Sequence, residues 1–219
     1  MKLINILIRT SNRPKYFKHC IEAVKEQTYG NYRIIVSVDN PETNKYVSSY
    51  DIVDKVVNVE YRQPSSIKNI PKGLRSAPWN SYFNEMLKHT KDGYVIYIDD
   101  DDKLLDKNSL QILVNNIKTN DELVMWQVKF PGRFIPNDIN WKKYKQGHKP
   151  IPAQISTLGF SHPTKYNAKI NWTPYSFGDY RISTTLHNLI KHKTFIDTPL
   201  TTLQRATANG LGRRDDLKQ

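Results

Sequence analysis

The sequence predicts a single α/β domain over residues 1–219, with a mainly parallel central sheet and helices on both faces. Three observations carry that expectation. Strand and helix signals alternate with little interruption through the first 130 residues. The strand signals are unbroken apolar runs, the mark of strands buried on both faces. Polar clusters follow three of those runs, at Arg9 to Asn12, Asp39 with Asn40, and Asp99 to Asp102. They fall where such sheets bind ligands, beyond the carboxyl ends of the strands.

Taken in order, Leu3, Ile4, Ile6, Leu7 and Ile8 form the first strand. Phe17, Cys20, Ile21 and Val24 recur at helical spacing, with Pro14 where a first turn tolerates it. Ile34 to Val38 is a second, β-branched strand closed by Asp39, Asn40 and Pro41. Val56, Val57 and Val59 suggest a third. Trp79, Tyr82, Phe83, Met86 and Leu87 mark a helix leading into a fourth strand, Tyr94 to Ile98. Leu110, Leu113, Val114 and Ile117 mark another helix, and Leu123 to Val128 a fifth strand. The pattern then weakens: residues 131–175 are rich in Pro, Lys, Asn and aromatics, and such long irregular stretches are commonly functional. A helix returns with Ile182, Thr185, Leu186, Leu189 and Ile190, and a short strand with Thr194 to Ile196. Residues 207–219 read as a flexible tail, in which Gly210 and Gly212 precede two guanidinium groups, Arg213 and Arg214, suited to closing over a diphosphate.

Lysine and arginine outnumber aspartate and glutamate by 33 to 21, a net charge of +12 that points to anionic partners. A single cysteine, Cys20, excludes an intrachain disulfide framework and a cysteine zinc cage. The opening MKLINILIRTSNRP is an apolar run broken by Arg9, a first strand rather than a signal peptide. No stretch approaches the ~20 apolar residues of a membrane span. A cytoplasmic protein with no transmembrane segment is the expectation. Walker, GxGxxG, HExxH and GxSxG motifs are absent, which removes the commonest NTPase, dehydrogenase, zinc protease and esterase readings.

The strongest chemical signal is YVIYIDDDDKL. On an extended strand end Asp99 and Asp101 share one face, Asp100 and Asp102 the other. Carboxylates packed this closely repel unless a cation compensates, and Mn²⁺ or Mg²⁺ accepts carboxylate and phosphate oxygens together. A solvated acidic turn is the bland alternative. The buried strand that delivers the cluster favours metal binding.

This segment resembles the metal-binding Asp-x-Asp strand of family 2 glycosyltransferases with the GT-A (Rossmann-like) fold. NILIRTSNRPKYFKHCIEAVKEQTY is similar to their first strand, nucleotide-contacting turn and first helix. IIVSVDN resembles their second strand, APWNSYFNEML the helix before the metal motif, and FGDYRISTTL the later acidic segment. The resemblance covers residues 1–126 well and 176–206 loosely. It implies transfer of a sugar from a nucleotide-sugar donor to a hydroxyl, with inversion the usual outcome. It also implies a metal on Asp101 with Asp99 and a catalytic base at Asp179. Donor contacts are expected from Arg9, Thr10, Asn12, Asp39, Arg75, Asn80, Asp99, Asp100 and Arg205. Two departures from the family pattern stand out: LTTLQRATANG has Gln204 and Arg205 where a histidine ligand often lies, and Gly178 replaces the glutamate that usually precedes the base.

Residues 1–128 are then the nucleotide-sugar half and 129–206 the acceptor half. In the latter, His162, Trp172, Lys142 and Lys143 are candidate acceptor contacts, and Trp126 and Trp141 are further rings that could stack. Lys129, Arg133, Lys142, Lys143, Lys145 and Lys149 interleave with Phe130, Phe134, Trp141 and Tyr144, a pattern suited to a polyanion. The acceptor is expected to be a glycan or glycolipid, or hydroxylated bases in DNA, with a protein or small molecule as the remaining class; the basic stretch would also suit an anionic glycan or a lipid headgroup at a membrane surface. Ordinary structural roles remain open for several residues: an N-cap for Asp179, a turn for Asp39, a core histidine for His162. A sugar-phosphate nucleotidyltransferase and a non-catalytic basic nucleic-acid-binding module are the alternatives.

Overall fold

The computed structural model describes residues 1–203. Gln204, Arg205 and the 207–219 tail with Arg213 and Arg214 lie outside the described residues. One nine-stranded sheet organises the chain. Its strands are β1 (Ile4–Thr10), β2 (Tyr32–Val38), β3 (Lys55–Asn58), β4 (Tyr94–Asp99), β5 (Asp102–Leu104), β6 (Glu122–Phe130), β7 (Arg133–Ile135), β8 (Phe160–Pro163) and β9 (His192–Leu203). They lie in the order β3-β2-β1-β4-β8-β6-β9-β5, with β7 hairpinned onto β6. The expected mixed α/β single domain is found. Its first half, β3-β2-β1-β4, is entirely parallel. Antiparallel strands enter in the second half through β8 and β5, while β6 and β9 run parallel.

The helices are α1 (Pro14–Lys25), α2 (Pro41–Val47), α3 (Tyr82–Leu87), α4 (Ser109–Asn116), α5 (Asp138–Lys145) and α6 (Gly178–Leu189). Alternate side chains of a strand face opposite ways, and β1 uses both faces. Ile4, Ile6 and Ile8 join Phe17, Cys20, Ile21 and Val24 of α1 and Leu110 and Leu113 of α4. Leu7 faces the opposite layer, where Phe83 and Met86 of α3 meet Trp141 of α5 and Ile182 and Leu186 of α6. Each such fully buried side chain contributes roughly 1.5–3 kcal/mol. Sandwiching the sheet this way leaves only its strand ends open to a ligand.

Five elements escape the periodicity, the three-residue strands β5 and β7 and three others. In α5, DINWKKYK buries only Trp141 and Tyr144 amid charge. In α2, PETNKYV is held by its caps, with Asn40 accepting from the Thr43 amide at 2.8 Å. And β8 reads FSHP, a short strand whose Ser161 and His162 are polar yet buried. The last strand outruns its prediction because β9 slips in register between Ile196 and Thr201, around Pro199, which has no amide to offer the ladder. The apolar run ends at that slip, and the strand resumes beyond it.

Candidate functional site

The carboxyl ends of β1, β2 and β4 open into one cavity of about 420 Å³. It is lined by Arg9 and Thr10 from β1, Asp39 just past β2, Asp99 from β4, and Asp179 from the first turn of α6. Strand register sets their heights. Arg9 lies opposite Asp99 in the β1–β4 ladder, so both side chains leave the sheet on one side. The Arg9 guanidinium grips the Asp99 carboxylate through Nε and through Nη2, the latter at 2.9 Å. Its Nη1 donates to Asn80 Oδ1 at 2.8 Å, and the group lies over the Phe83 ring.

Arg13, at the head of α1, serves the next two acids. It pairs with the fully buried Asp100, to which Nε also donates at 3.0 Å, and its Nη1 stands 3.1 Å from Asp101. Thr10 adds a 2.6 Å hydrogen bond to Asp100. The expected alternation of the four aspartates fails here, because β4 ends at Asp99 and the chain turns at Asp100 and Asp101 before β5 begins at Asp102. Asp100 therefore goes inward as a structural anion, and Asp102 joins the cavity. Asp99, Asp101 and Asp102 each bring an oxygen within 4.8 Å of the others. Four carboxylates against two guanidinium groups leave two negative charges, which one divalent cation balances. An all-oxygen set of this charge fits Mg²⁺ or Mn²⁺.

Facing the acids, Asp179 is the second residue of α6. The N-cap position belongs to Phe177, and Asp179 Oδ1 accepts from the Tyr180 amide at 2.8 Å. Burial pushes the Asp179 carboxyl up to about 6, against that amide and the pull of Arg9 and Arg181, with Asp99 reinforcing the rise. A carboxylate poised there can take a proton near neutrality. Gly178 has a physical reason to replace a larger residue: a Cβ on it would lie 2.8 Å from Asn80 Nδ2 and 3.2 Å from Trp172. Asn80 occupies that space because it couples the two halves of the site. Its carbonyl oxygen receives Arg9, and its Nδ2 donates to the Tyr175 carbonyl at 2.7 Å.

Asp39 closes the far end, accepting from Tyr82 Oη at 3.3 Å and from the Asn40 side chain at 2.7 Å. The cap of the following helix is Asn40, next in the chain. Of the expected donor contacts, Arg9, Thr10, Asp39, Asn80 and Asp99 line the cavity. Asn12 does not: it sits at φ 49°, bonded through its amide to Thr43, and shapes the turn. Nor does Arg75, whose exposed side chain leaves only its backbone tied to Ser176.

The acceptor expectations need correction. His162 is fully buried in β8 and makes no cavity wall. Its Nδ1 faces the Pro163 carbonyl at 3.0 Å, which can only accept, so Nε2 accepts the Tyr97 hydroxyl at 2.7 Å in a neutral ring. Trp172 is buried too, packed on Phe83 and Tyr97. Trp126 and Trp141 are likewise core residues, their indoles donating to Thr201 and Asp197. Lys142 and Lys143 are exposed on α5 but line no part of the cavity. Sequence reasoning missed Arg13, Tyr61, Arg62 and Phe177 as lining residues and treated Trp79 as a helix position, while Asp102, part of the expected acidic cluster, joins the candidate metal-binding set in place of Asp100. The only advance signal for Arg13 was its place next to the Arg9–Asn12 cluster.

A family model described as glycosyl transferase family 2 matches residues 5–182. No curated protein matches the chain in sequence. Among solved structures the fold is similar to residues 1–349 of TarS from S. aureus in complex with UDP-GlcNAc, with a TM-score of 0.70, 15% identity, and coverage of 95% of this chain and 60% of that one. The UDP complex of the same protein gives 0.71, 16%, 92% and 60%. Mannosyltransferase PcManGT from Pyrobaculum calidifontis, in complex with GDP-Man and Mn²⁺, gives 0.64, 11%, 94% and 58%. The chain thus spans about three fifths of these structures, and 37% of a longer TarS structure. Among the described residues no helix is long and apolar enough to cross a membrane.

Proposed function

Since the chain belongs to glycosyl transferase family 2, we propose that it moves a sugar from a nucleotide-sugar donor to an acceptor hydroxyl with inversion at the anomeric carbon. One observation carries the mechanism: Asp179 faces the Asp99, Asp101 and Asp102 cluster across a single cavity at the carboxyl edge of the sheet. The donors bound by the structural neighbours, UDP-GlcNAc and GDP-Man, support a nucleoside diphosphate sugar as the class. Asp39, Tyr61 and Arg62 hold the nucleoside end, and Arg9 and Asn80 position the diphosphate. Asp99, Asp101 and Asp102 would hold a divalent cation, Mn²⁺ or Mg²⁺, which when bound supplies charge neutralisation for the departing diphosphate. The Asp179 carboxylate takes the acceptor hydroxyl proton while the hydroxyl oxygen forms its bond to the anomeric carbon. The bond from that carbon to the diphosphate oxygen breaks on the opposite face, and its electron pair leaves with the nucleotide. Single displacement of this kind inverts the configuration. The donor half, residues 1–128, the acceptor half, 129–206, and a cytoplasmic location belong to the same proposal. Family membership sets aside the nucleotidyltransferase and the non-catalytic basic module.

The test is release of nucleoside diphosphate from a panel of UDP- and GDP-sugars with Mn²⁺ or Mg²⁺ and mixed hydroxyl acceptors. Asp179→Asn should keep donor binding and lose at least ~100-fold in turnover, and Asp101→Asn should lose a similar factor together with its dependence on the divalent ion. Normal turnover in Asp179→Asn would remove it as the base.

A further inference from the structure

Four exposed large side chains are aromatic among the described residues: Tyr61 at 48%, Trp79 at 37%, Phe134 at 38% and Phe177 at 40%. All but Phe134 line the cavity of the proposed site. Tyr61 lies at the Asp39 end, where it neighbours Tyr82. Trp79 and Phe177 are next in the chain to Asn80 and Gly178, which are pressed together, so both rings line the cavity from neighbouring stretches of wall, with Phe177 two residues before Asp179.

Phe177 is backbone-strained. It sits at φ 59°, ψ 33°, a left-handed conformation that bulky residues avoid. A ring that is both strained at its backbone and left facing water adds little to folding, so a contact outside the fold is the better account of it. Ser156, Thr157 and Ser176, neutral and hydroxylic, also line the cavity. Arg9 and Arg13 are already engaged by carboxylates. None of the basic residues of the 129–149 stretch reaches the cavity.

From this arrangement we infer that Trp79 and Phe177 form the acceptor platform and that the acceptor is a neutral saccharide. The weakly polar C–H face of a pyranose lies on aromatic rings, while its hydroxyls bond to hydroxylic side chains, and both partners are present here. A polyanion would need free cations beside Asp179; among the described lining residues Arg9 and Arg13 are held by carboxylates, and Arg62 serves the nucleoside end in the proposed reading. The inference rests on the proposed transferase reading and names the substrate class for the same site.

Tryptophan fluorescence tests it directly, because Trp126, Trp141 and Trp172 are buried and Trp79 alone of the four tryptophans is exposed. Acrylamide quenching would be followed with UDP and GDP in Mn²⁺, then with neutral oligosaccharides of glucose, galactose, mannose and N-acetylhexosamines, and with single-stranded oligothymidylate. At least one saccharide should shield the exposed tryptophan, and the signal should vanish in Trp79→Phe. Phe177→Gly, which suits the left-handed backbone and so folds, should weaken saccharide binding about tenfold while leaving nucleotide affinity unchanged. Nucleotide binding with no shielding by any saccharide overturns the inference and spares the transferase reading. Shielding by nucleotide alone with weakened nucleotide affinity in Phe177→Gly assigns the rings to the donor and also overturns it. Shielding by oligothymidylate but by no saccharide gives the platform to a nucleic acid and does the same. Absence of any nucleotide binding removes the transferase reading and the inference together.

Discussion

At the scale of single residues, Asp179 and Arg13 show how environment assigns roles that residue type alone leaves open. Asp179 is raised to about 6 by burial, so the carboxylate needed as a base forms only as pH climbs through that value. Turnover under saturating donor should therefore rise roughly tenfold per pH unit below about 6 and level off above it. A profile flat between pH 5 and 7 would show that some other group accepts the proton. Arg13 is the partner of a fully buried Asp100. Arg13→Met keeps the apolar stem but leaves that carboxylate uncompensated, a loss of about 3–5 kcal/mol. For a domain of this length that lowers Tm by roughly 6–20 °C, which calorimetry would register. A change within a degree or two would mean that Asp100 is held by Thr10 alone.

Among the elements, β8 and the start of α6 carry the informative departures. As a strand between β4 and β6, β8 joins the parallel half of the sheet to the mixed half, and it places His162 in the middle. Burial holds the His162 pKa down at about 4, against an ordinary value of 6.5. The neutral ring is what the fold accepts. The contribution is whole above about pH 6.5 and is lost progressively as pH falls towards 4, to a total of about 3 kcal/mol. Urea unfolding of His162→Phe should accordingly show a shallower loss of stability between pH 6.5 and 4 than the unaltered protein. An identical slope would place the acid sensitivity elsewhere. The start of α6 could be located from Ile182, Leu186 and Ile190, but not the need for glycine at 178, which comes from Asn80, a residue nearly a hundred positions earlier.

For the molecule as a whole, the basic stretch at 129–149 and the cavity separate. Lys142 and Lys143 lie on α5, away from the cavity. The charge reversals Lys142→Glu and Lys143→Glu together should change donor affinity and turnover by no more than about twofold, since exposed substitutions away from a site act weakly. A tenfold loss in saccharide transfer would restore the basic stretch to acceptor binding. The parallel half of the sheet was legible because its strands are continuous apolar runs and its helices repeat at 3.6 residues, patterns set by local geometry and burial alone. The acidic cluster and its place at a strand end were legible for the same reason. The second half was less so: β8 buries Ser161 and His162, α5 buries only two residues amid charge, and β9 is interrupted around Pro199. By itself the sequence determined the fold class, the strand edge where the polar clusters gather, and the family resemblance. Tertiary structure alone decided that Asp100 turns inward while Asp102 joins the cavity, that Arg9 and Arg13 neutralise half of the acidic charge, and that Trp172 and His162 are core while Trp79 and Phe177 line the cavity. The reason is physical: period and propensity act between near neighbours, whereas burial and charge pairing at the site join residues about ninety positions apart that only the closed sheet brings together.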